Sequence, residues 1–459
     1  MMRFGLEEAR KKLLQELEKE TSRAAAPLSF PVVVRLKLPV VDIDLLQWLG
    51  GQKSPRKVYW HSPDGGFSAA GIGAAYEISA EGWSGFEEAW GSAREFMDAS
   101  PQARLFAGMS FARSMTGSEW KGFTALKFIF PAVELTQDHE GCWLVVNAVR
   151  GRDGEPFGPV SRETLASMRF SEQISDEDIV TLSYEDTPDY EDWVCTAEAM
   201  LESMENEGIA KMVMARRTTF ELQGSFTPEA ALTALVEGHK NAASFLFSID
   251  GGVFFGFSSK SLYSRSGQRV QSHAIAGERP RGKDPVEDEA LRADLLKSDK
   301  DQDEHRLVAK ALIEVFREFC RSYQVDCDQD VLKLNRHQHL RMRVSGVVNE
   351  GVTDKEFLLA LNPPSIACGV PSVKARMFLQ EYEVFDRGWF SGSVGFLSRE
   401  HTELAVVTRG CLLEDGRLHG YAGVPCTKGA DPSFLWEEAT REMKAGMNIV
   451  RGCCFDRKG

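Results

Sequence analysis

Extended segments with alternating apolar residues run through most of this chain, and amphipathic helical segments separate them. The stretch 31–40 (PVVVRLKLPV) alternates at the two-residue period of a β-strand. A helical pattern over 5–24 precedes it, with leucines spaced three and four apart among charged residues. Long strands at hairpin-type spacing favour antiparallel pairing. The pattern therefore predicts an α+β fold in which helices cover antiparallel sheets.

Further elements follow from the same two periodicities. Strands are predicted over 58–62, 103–111, 125–135, 141–149, 211–222, 243–250, 252–258, 344–349, 391–398, 404–413 and 417–423. Helices are predicted over 85–99, 228–240, 288–323, 371–385 and 434–447, and the stretch 184–209 is predicted to begin with turn residues and then become helical. Gly71-Ile72-Gly73 lacks the third glycine and the context of a dinucleotide-binding loop, so we interpret it as an ordinary loop.

The 459 residues contain no internal repeat and no linker rich in Ser, Pro or Gly. A chain of this length has room for about two or three ordinary domains. We predict a variable, β-rich N-terminal part over 1–185, packed on a core over 186–459. A single interlocked domain is an equal alternative.

The balance of charge excludes several kinds of partner. Lys and Arg number 54 and Asp and Glu 68, which gives a net charge of −14. An acidic chain without a basic tract binds nucleic acids and anionic membranes poorly, because phosphate contacts need clustered Lys and Arg. The first residues show no apolar signal region, and no run reaches about 18 uncharged apolar residues. We expect a cytoplasmic protein, a monomer or weak homo-oligomer, that binds a small molecule.

Cysteines and histidines give little indication of function. The nine cysteines contain no CxxC pair, which argues against a zinc site and against a disulfide framework. His337 and His339 stand two apart and would share one face of a strand. We interpret both as structural or hydrogen-bonding residues.

Two acidic stretches on predicted helices could hold a metal ion. Asp301 and Glu304 are three apart and share a helical face. Glu438 follows Trp436, an apolar anchor that would press its helix onto a sheet. Carboxylates from separate helices suit Mg²⁺, which takes oxygen ligands and keeps several waters. Taken alone, each stretch also has the pattern of a solvated charged face.

A series of motifs spans about 190–448. In chain order they are KMVMAR (211–216), FGFSSKSL (255–262), AIAGERPRG (274–282), KDQDEH (300–305), LNPP (361–364), EVFDRGWFSG (383–392), VTR (407–409), AG (422–423) and WEE (436–438). The series resembles, in content and order, that of the chorismate-utilising enzymes. The resemblance implies an anthranilate synthase component I-like fold: α+β, with large antiparallel sheets stacked as a sandwich and flanked by helices.

The resemblance also implies a reaction. Lys211 is similar to the lysine of isochorismate and salicylate synthases, where anthranilate and aminodeoxychorismate synthases have glutamine. It implies an isochorismate synthase that feeds menaquinone or siderophore synthesis: neutral Lys211 takes a proton from water, which attacks C2 of chorismate. An acid on the opposite face, at the position of Lys260, protonates the departing C4 hydroxyl. The implied metal ligands for Mg²⁺ and the implied substrate-binding residues are Glu304, Glu438 and Asp301, and Gly277, Arg409 and Gly423.

The chain departs from the family pattern at several of these positions. Lys260 replaces a glutamate, and from a reference pKa of ~10.4 a lysine is a weak acid at pH 7. Glu442 replaces a substrate-binding lysine. The reversed charges would partly compensate if Lys260 pairs with Glu442, or if Lys260 replaces the missing substrate-binding cation. The other departures are Glu278 for Thr, Pro425 for Gly, Leu435 for Glu and Asn362 for His. A catalytically weakened relative that binds a ligand, and a salicylate synthase-like activity, are the alternatives.

Overall fold

Strands and helices alternate through the part of the chain that the structure describes. The computed structural model describes residues 3–23, 31–115, 117–150, 158–170, 180–239, 241–326, 330–334 and 337–447. Within these ranges, all paired strands run antiparallel. This confirms the α+β architecture that the two hydrophobic periodicities predict.

The strands are, in chain order, β1 (Val32–Val40), β2 (Lys57–His61), β3 (Phe67–Ala80), β4 (Leu105–Met109), β5 (Leu126–Asp138), β6 (Gly141–Arg150), β7 (Val180–Thr187), β8 (Lys211–Gln223), β9 (Ala243–Ile249), β10 (Gly252–Ser258), β11 (Ser261–Ser266), β12 (Arg269–Pro280), β13 (Cys320–Val325), β14 (Asp330–Lys333), β15 (His337–Val348), β16 (Gly369–Val370), β17 (Ser393–Leu397), β18 (His401–Val406), β19 (Arg409–Glu414) and β20 (Arg417–Thr427).

The helices are α1 (Leu6–Arg23), α2 (Leu45–Gly50), α3 (Phe86–Ala99), α4 (Pro159–Ser167), α5 (Tyr190–Glu207), α6 (Pro228–Gly238), α7 (Pro285–Lys297), α8 (Asp299–Phe319), α9 (Asp354–Leu361), α10 (Ser372–Tyr382) and α11 (Pro432–Met447). None of these described helices is long and apolar enough to cross a membrane.

The strands form two layers joined by one long strand. The first layer runs β7-β8-β20-β19-β10-β9-β2-β3-β5-β6-β1, and β16 adds to β8. The second runs β4-β17-β18-β11-β12-β15, with β13 and β14 on the outer edge of β15. Strand β5 belongs to both layers, because its first residues also pair with β4.

An aromatic core fills the space between the layers. Trp60, Phe245 and Phe254 from the first layer meet Phe396 and Trp389 from the second layer and the segment before it. Helices α1, α2, α4 and α6 cover the outer face of the first layer, and α3, α8 and α9 cover that of the second. Helices α5, α10 and α11 pack beside β8. The structure is therefore a sandwich flanked by helices, as the resemblance implies.

Strands from both predicted parts of the chain pair directly with each other. Strand β2 pairs with β9, and β4 pairs with β17. The boundary between 1–185 and 186–459 stays a prediction.

Two predicted elements are divided in the structure. The helix predicted over 288–323 consists of α7 and α8, which meet at Ser298, and the chain after Phe319 continues as β13. The Ser298 hydroxyl accepts a hydrogen bond from the amide of Asp301, so it begins a new helix in the manner of an N-cap. The strand predicted over 404–413 is β18 and β19, because Val407 between them hydrogen-bonds instead to the 391–392 backbone.

Two segments that were predicted to be a loop and a turn are strands in the structure. The predicted loop Gly71-Ile72-Gly73 lies inside β3, and the predicted turn residues from Tyr184 onward belong to β7. Gly71 sits where β3 crosses Pro131 of β5 so closely that a Cβ atom would lie 2.6 Å from the proline ring. The glycine therefore reflects close packing of two strands and not a turn.

Removing the Trp389 side chain should destabilise the sandwich. Its ring is 0% exposed, and its indole N–H donates to the Thr124 carbonyl at 2.8 Å. Because the neighbours would collapse only in part, we expect Trp389→Ala to lower the free energy of unfolding by about 3–5 kcal/mol. Denaturant unfolding would measure this, with Val286→Ala, at an 81% exposed position, as the control. Equal unfolding midpoints for the two variants would contradict the assignment of Trp389 to the core.

Candidate active site

A cavity of about 610 Å³ lies where β12, β15, β19 and β20 meet helices α8 and α11. Charged side chains and histidines make up nearly half of its lining. They are Lys260, Glu278, Arg279, Lys300, Asp301, Glu304, His337, His339, Arg409, Glu438, Arg441 and Glu442. A concave site of this size with convergent charged groups suits a small ionic ligand.

The structure brings most of the predicted site residues together in this cavity. Those that line it are Lys260, Gly277, Asp301, Glu304, Arg409, Gly423 and Glu438. Lys211 does not itself line the cavity. It contacts the lining through Glu304, whose Oε1 accepts a hydrogen bond from Lys211 Nζ at 2.7 Å. Of the departures, Glu278, Pro425 and Glu442 also line the cavity, whereas Leu435 is buried against α5 and β8.

Strand pairing fixes the position of Lys211. It is the first residue of β8, where its backbone stands opposite Thr427 of β20 and Val370 of β16. The residue is 0% exposed. A buried lysine of this kind needs a charged partner, which Glu304 provides.

Glu304 is held in its ionised form. Burial disfavours the charged carboxylate, but Lys211, and more weakly Lys260 and Lys300, outweigh that effect and lower its pKa. The residue lies one turn into α8, so the helix directs its side chain to the cavity wall next to β8.

Among the described residues, Glu438 differs from Glu304 in having no cationic partner at contact distance. Burial raises the pKa of Glu438, and Lys300 opposes this rise. Its Oε2 atom is buried and has no hydrogen-bond partner among the described residues. An unpaired carboxylate oxygen inside a protein is costly, and a bound cation would remove that cost.

Asp301 is engaged elsewhere. Its Oδ2 accepts a hydrogen bond from Arg279 at 2.9 Å, and Arg279 also binds Asp294 at 2.6 Å. In the described part of the chain, no group of three or more Asp, Glu, His or Cys side chains is arranged to hold a metal ion. Glu304 likewise has one oxygen engaged, by Lys211, so of the three carboxylates Glu438 is the one with a buried oxygen unpartnered among the described residues, and the metal site stays a prediction.

Arg409 is clamped between two carboxylates. Its Nη2 donates to Glu442 at 2.8 Å and lies 3.3 Å from Glu278. Burial disfavours the charged guanidinium, but Glu442 and Glu278 outweigh it and raise the pKa of Arg409. The pairing of Glu442 with Lys260 suggested by the sequence is wrong, because Arg409 is the cation that Glu442 binds.

Lys260 projects into the cavity from a turn held on both sides. Its amide donates to Ser258 Oγ at 3.0 Å, and its carbonyl accepts from the Val406 amide at 2.9 Å. Within the described residues its ammonium forms no hydrogen bond or ion pair. Burial lowers the pKa of Lys260, with Glu278 opposing and Arg409 assisting. A lysine with a lowered pKa is a better proton donor near neutral pH than an exposed one.

A bulge in β12 places Gly277 and Glu278 against the cavity. Gly277 has φ +68°, and a Cβ atom there would lie 3.0 Å from Asp301 Cβ, so glycine suits both the backbone and the close approach of α8. Glu278 Oε1 lies 3.4 Å from His337 Nε2. Burial opposes ionisation of Glu278, but the positive charge of Arg409, assisted by that of Lys260, lowers its pKa.

His339 is a neutral member of the same cluster. Burial lowers its pKa to about 4. Its Nδ1 donates to the Gly277 carbonyl at 3.0 Å, which leaves Nε2 as a buried acceptor without a partner in the described residues. Both histidines lie on β15, two residues apart, as predicted. The predicted hydrogen-bonding role is confirmed for His339, and both residues also line the cavity.

Sequence reasoning missed part of the cluster around Arg409. The sequence identifies Glu278 only as a departure from the family pattern, and it gives no indication that Arg279 belongs to the site. A usable signal was the pairing of β12 with β15, where Pro280 stands opposite His337 and Arg279 opposite Gln338. Once those two strands are aligned, the histidines and Glu278 fall at one end of the sheet.

Comparison with solved structures defines the class of fold. The structure of MenF, the menaquinone-specific isochorismate synthase from Escherichia coli, matches with a TM-score of 0.84 at 22% identity, over 96% of this chain and 100% of that one. Anthranilate synthase component I from Streptococcus pneumoniae TIGR4 matches with a TM-score of 0.62 at 18% identity, over 92% and 93% of the two chains. The fold is therefore that of the anthranilate synthase component I class.

The sequence comparisons identify the family within that class. Residues 19–449 match the profile described as "Chorismate binding enzyme". The chain belongs to the chorismate binding enzyme family.

Three curated relatives of the chain are isochorismate synthases. The chloroplastic isochorismate synthase of Catharanthus roseus is 29% identical over 399 residues, covering 84% of this chain and 68% of the relative. MenF of Bacillus subtilis (strain 168) is 24% identical over 464 residues, covering 96% and 98%. DhbC of the same organism, also an isochorismate synthase, is 30% identical over 272 residues, covering 57% and 68%.

Proposed function

We propose that this protein is an isochorismate synthase, which converts chorismate to isochorismate by Mg²⁺-dependent addition of water at C2 and loss of the C4 hydroxyl. The observation that carries the proposal is the buried pair of Lys211 and Glu304 at a cavity that also holds Lys260 and Arg409. The names of the curated relatives support the same reaction.

In this proposal Lys211 is the general base. As the neutral amine it takes a proton from water, whose oxygen forms the bond to C2 while both ring double bonds shift toward C4 and the C4–O bond breaks. In the structure Lys211 Nζ donates a hydrogen bond to Glu304 Oε1 at 2.7 Å, so this carboxylate orients Nζ toward the cavity wall. Proton transfer by a positioned side chain contributes about 10²–10⁴-fold to a rate.

Lys260 is the general acid. It gives a proton to the C4 oxygen as the C4–O bond breaks, and the hydroxyl leaves as water. Its lowered pKa supports this role, since a weaker hold on the proton makes the ammonium a stronger acid. The reaction leaves Lys211 protonated and Lys260 neutral, so one proton returns from the first site to the second between turnovers.

Glu304 and Glu438 would hold Mg²⁺, and the unpartnered Oε2 of Glu438 supports this fit. The ion supplies positive charge for the ring carboxylate of the substrate when bound. Two carboxylates with waters match the preference of Mg²⁺ for oxygen ligands. Asp301 would bind the ion only through a water, since Arg279 already donates a hydrogen bond to its carboxylate.

Replacing Glu438 with glutamine should weaken Mg²⁺ binding by about 10-fold or more, because one of two anionic ligands becomes neutral. Isothermal titration calorimetry with Mg²⁺ would measure the affinity. Glu437→Gln is the matched control, since this neighbour on α11 is exposed and does not line the cavity. Equal affinities for the two variants would refute the metal assignment.

The direct test of the proposed function is incubation of the purified protein with chorismate and Mg²⁺, followed by chromatographic separation of the products. Isochorismate is the expected product. Salicylate with pyruvate would indicate salicylate synthase-like activity. Unchanged chorismate, even with enzyme and substrate at equal concentrations, would refute both.

The clamp on Arg409 favours a second candidate, a chorismate-binding relative with weakened catalysis. Glu442 and Glu278 already bind the guanidinium of Arg409, which could otherwise bind a substrate carboxylate. Chorismate binding without turnover in the same assay would support this second function.

A further inference from the structure

Three exposed side chains from two helices stand together at the rim of the cavity. Lys300 lies in the first turn of α8, and Phe434 and Arg441 lie on α11. Lys300 Nζ and Arg441 Cζ are each 5.5 Å from the centroid of the Phe434 ring, which is within cation–π range. All three residues line the cavity, and Phe434 is 48% exposed. We call these residues the entrance cluster.

In the part of the chain that the structure describes, the two cations of the entrance cluster have no carboxylate at ion-pair distance. Among the described residues, neither Lys300 nor Arg441 forms an ion pair or hydrogen bond. The two other arginines that line the cavity are neutralised: Arg409 by Glu278 and Glu442, and Arg279 by Asp294 and Asp301. Two like charges beside one ring repel each other, and an anion between them would relieve that repulsion.

The field of these cations reaches into the cavity. Lys300 favours the charged forms of both Glu304 and Glu438, and Arg441 favours that of Glu438. The whole chain carries a charge of −14, which repels an approaching dianion. A local positive rim over an aromatic ring counters that repulsion where the ligand enters.

We propose that Lys300, Phe434 and Arg441 form an anion-binding entrance site that captures a cyclic dicarboxylate before it moves into the cavity. The ring of Phe434 offers an apolar face to the carbocycle, and the cations bind its carboxylates. The proposal rests on the proposed function in taking the substrate to be a dicarboxylate, and it extends the site beyond the cavity interior.

The test uses a dianion that cannot react, benzene-1,3-dicarboxylate, so that binding is separated from turnover. Calorimetry on the full chain would give its affinity at 20 mM and 500 mM NaCl. We expect Lys300→Gln/Arg441→Gln to weaken binding by about 10-fold at the lower salt and by less than about 2-fold at the higher salt. Lys300→Arg/Arg441→Lys, which keeps both charges, should bind like the wild type.

The matched control is Lys310→Gln/Arg399→Gln, which removes the same charge from exposed positions that do not line the cavity. This control should bind the dicarboxylate like the wild type. Equal weakening in both double variants would overturn the entrance site, because the affinity would then depend on net charge alone. The absence of dicarboxylate binding to the wild type would overturn it as well.

The two proposals can fail separately. If the expected affinities appear but chorismate is not converted, the entrance site holds and the isochorismate synthase proposal falls. If chorismate is converted but Lys300→Gln/Arg441→Gln binds the dicarboxylate like the wild type, the synthase proposal holds and the entrance site falls.

Discussion

Replacing Lys211 with glutamine should lower kcat for the conversion of chorismate by about 10²–10⁴, with KM nearly unchanged. The amide cannot take a proton from water, but it can still donate a hydrogen bond to Glu304, whose carboxylate lies 2.7 Å from the native Nζ. Steady-state kinetics with saturating Mg²⁺ would measure both constants.

The glutamine variant is preferable to alanine for this measurement. Lys211→Ala would leave the buried Glu304 carboxylate without its partner, and breaking a buried pair from one side typically costs about 3–5 kcal/mol of stability. A thermal melt of each variant serves as the control for folding. A Lys211→Gln protein with a wild-type kcat would exclude Lys211 as the base.

A second large effect is expected at Lys260. Lys260→Gln should also lower kcat by about 10²–10⁴, since it removes the proposed proton donor. The acid must be protonated, so the wild-type rate should fall as the pH rises through the pKa of Lys260. Burial lowers that pKa, so the fall should begin below the range of an ordinary lysine. The Lys260→Gln variant should lack this alkaline limb.

Lys260→Glu tests the same role with a different donor. A carboxylic acid beside Glu278 and Glu304 would have a raised pKa, because nearby carboxylates disfavour its ionisation. We expect Lys260→Glu to recover part of the activity that Lys260→Gln loses, and to shift the falling limb to lower pH. Lys310→Gln, at an exposed position on α8, controls for loss of a positive charge. Wild-type kcat and pH dependence in Lys260→Gln would remove Lys260 from the mechanism.

The sequence allowed the fold to be predicted wherever an element has one polar and one apolar face. Helix α1 follows the expected bounds to within two residues because its buried residues recur at the helical period. Strand β8 also follows them to within two residues, although its first six residues are all buried. Strand β3 was missed because its small residues, such as Gly71, are selected by contact with Pro131 and carry no alternation. Long-range packing of this kind is absent from a local pattern.

The sequence predicted which residues belong to the candidate site better than it predicted which of them form ion pairs. Motif resemblance brought Glu304, Arg409 and Glu438 to one cavity, where the structure has them. It gave no means of choosing between Arg409 and Lys260 as the partner of Glu442, because that choice depends on side-chain distances across α11 and β19. The entrance cluster was likewise hidden, since Lys300 and Phe434 come from distant parts of the chain.

The pairing of β8 with β20 has a consequence for how the protein is made. Lys211 stands opposite Thr427, so the strand that carries the proposed base completes its hydrogen bonds with a segment that is synthesised much later. Contacts between residues so distant along the chain form slowly, because the entropy of closing a long loop is lost before the contact is gained. During synthesis, this edge of β8 therefore stays unpaired until residues 417–427 have emerged, and such an edge can pair with other chains. A nascent chain stalled before residue 417 would lack the cavity and expose that edge to aggregation.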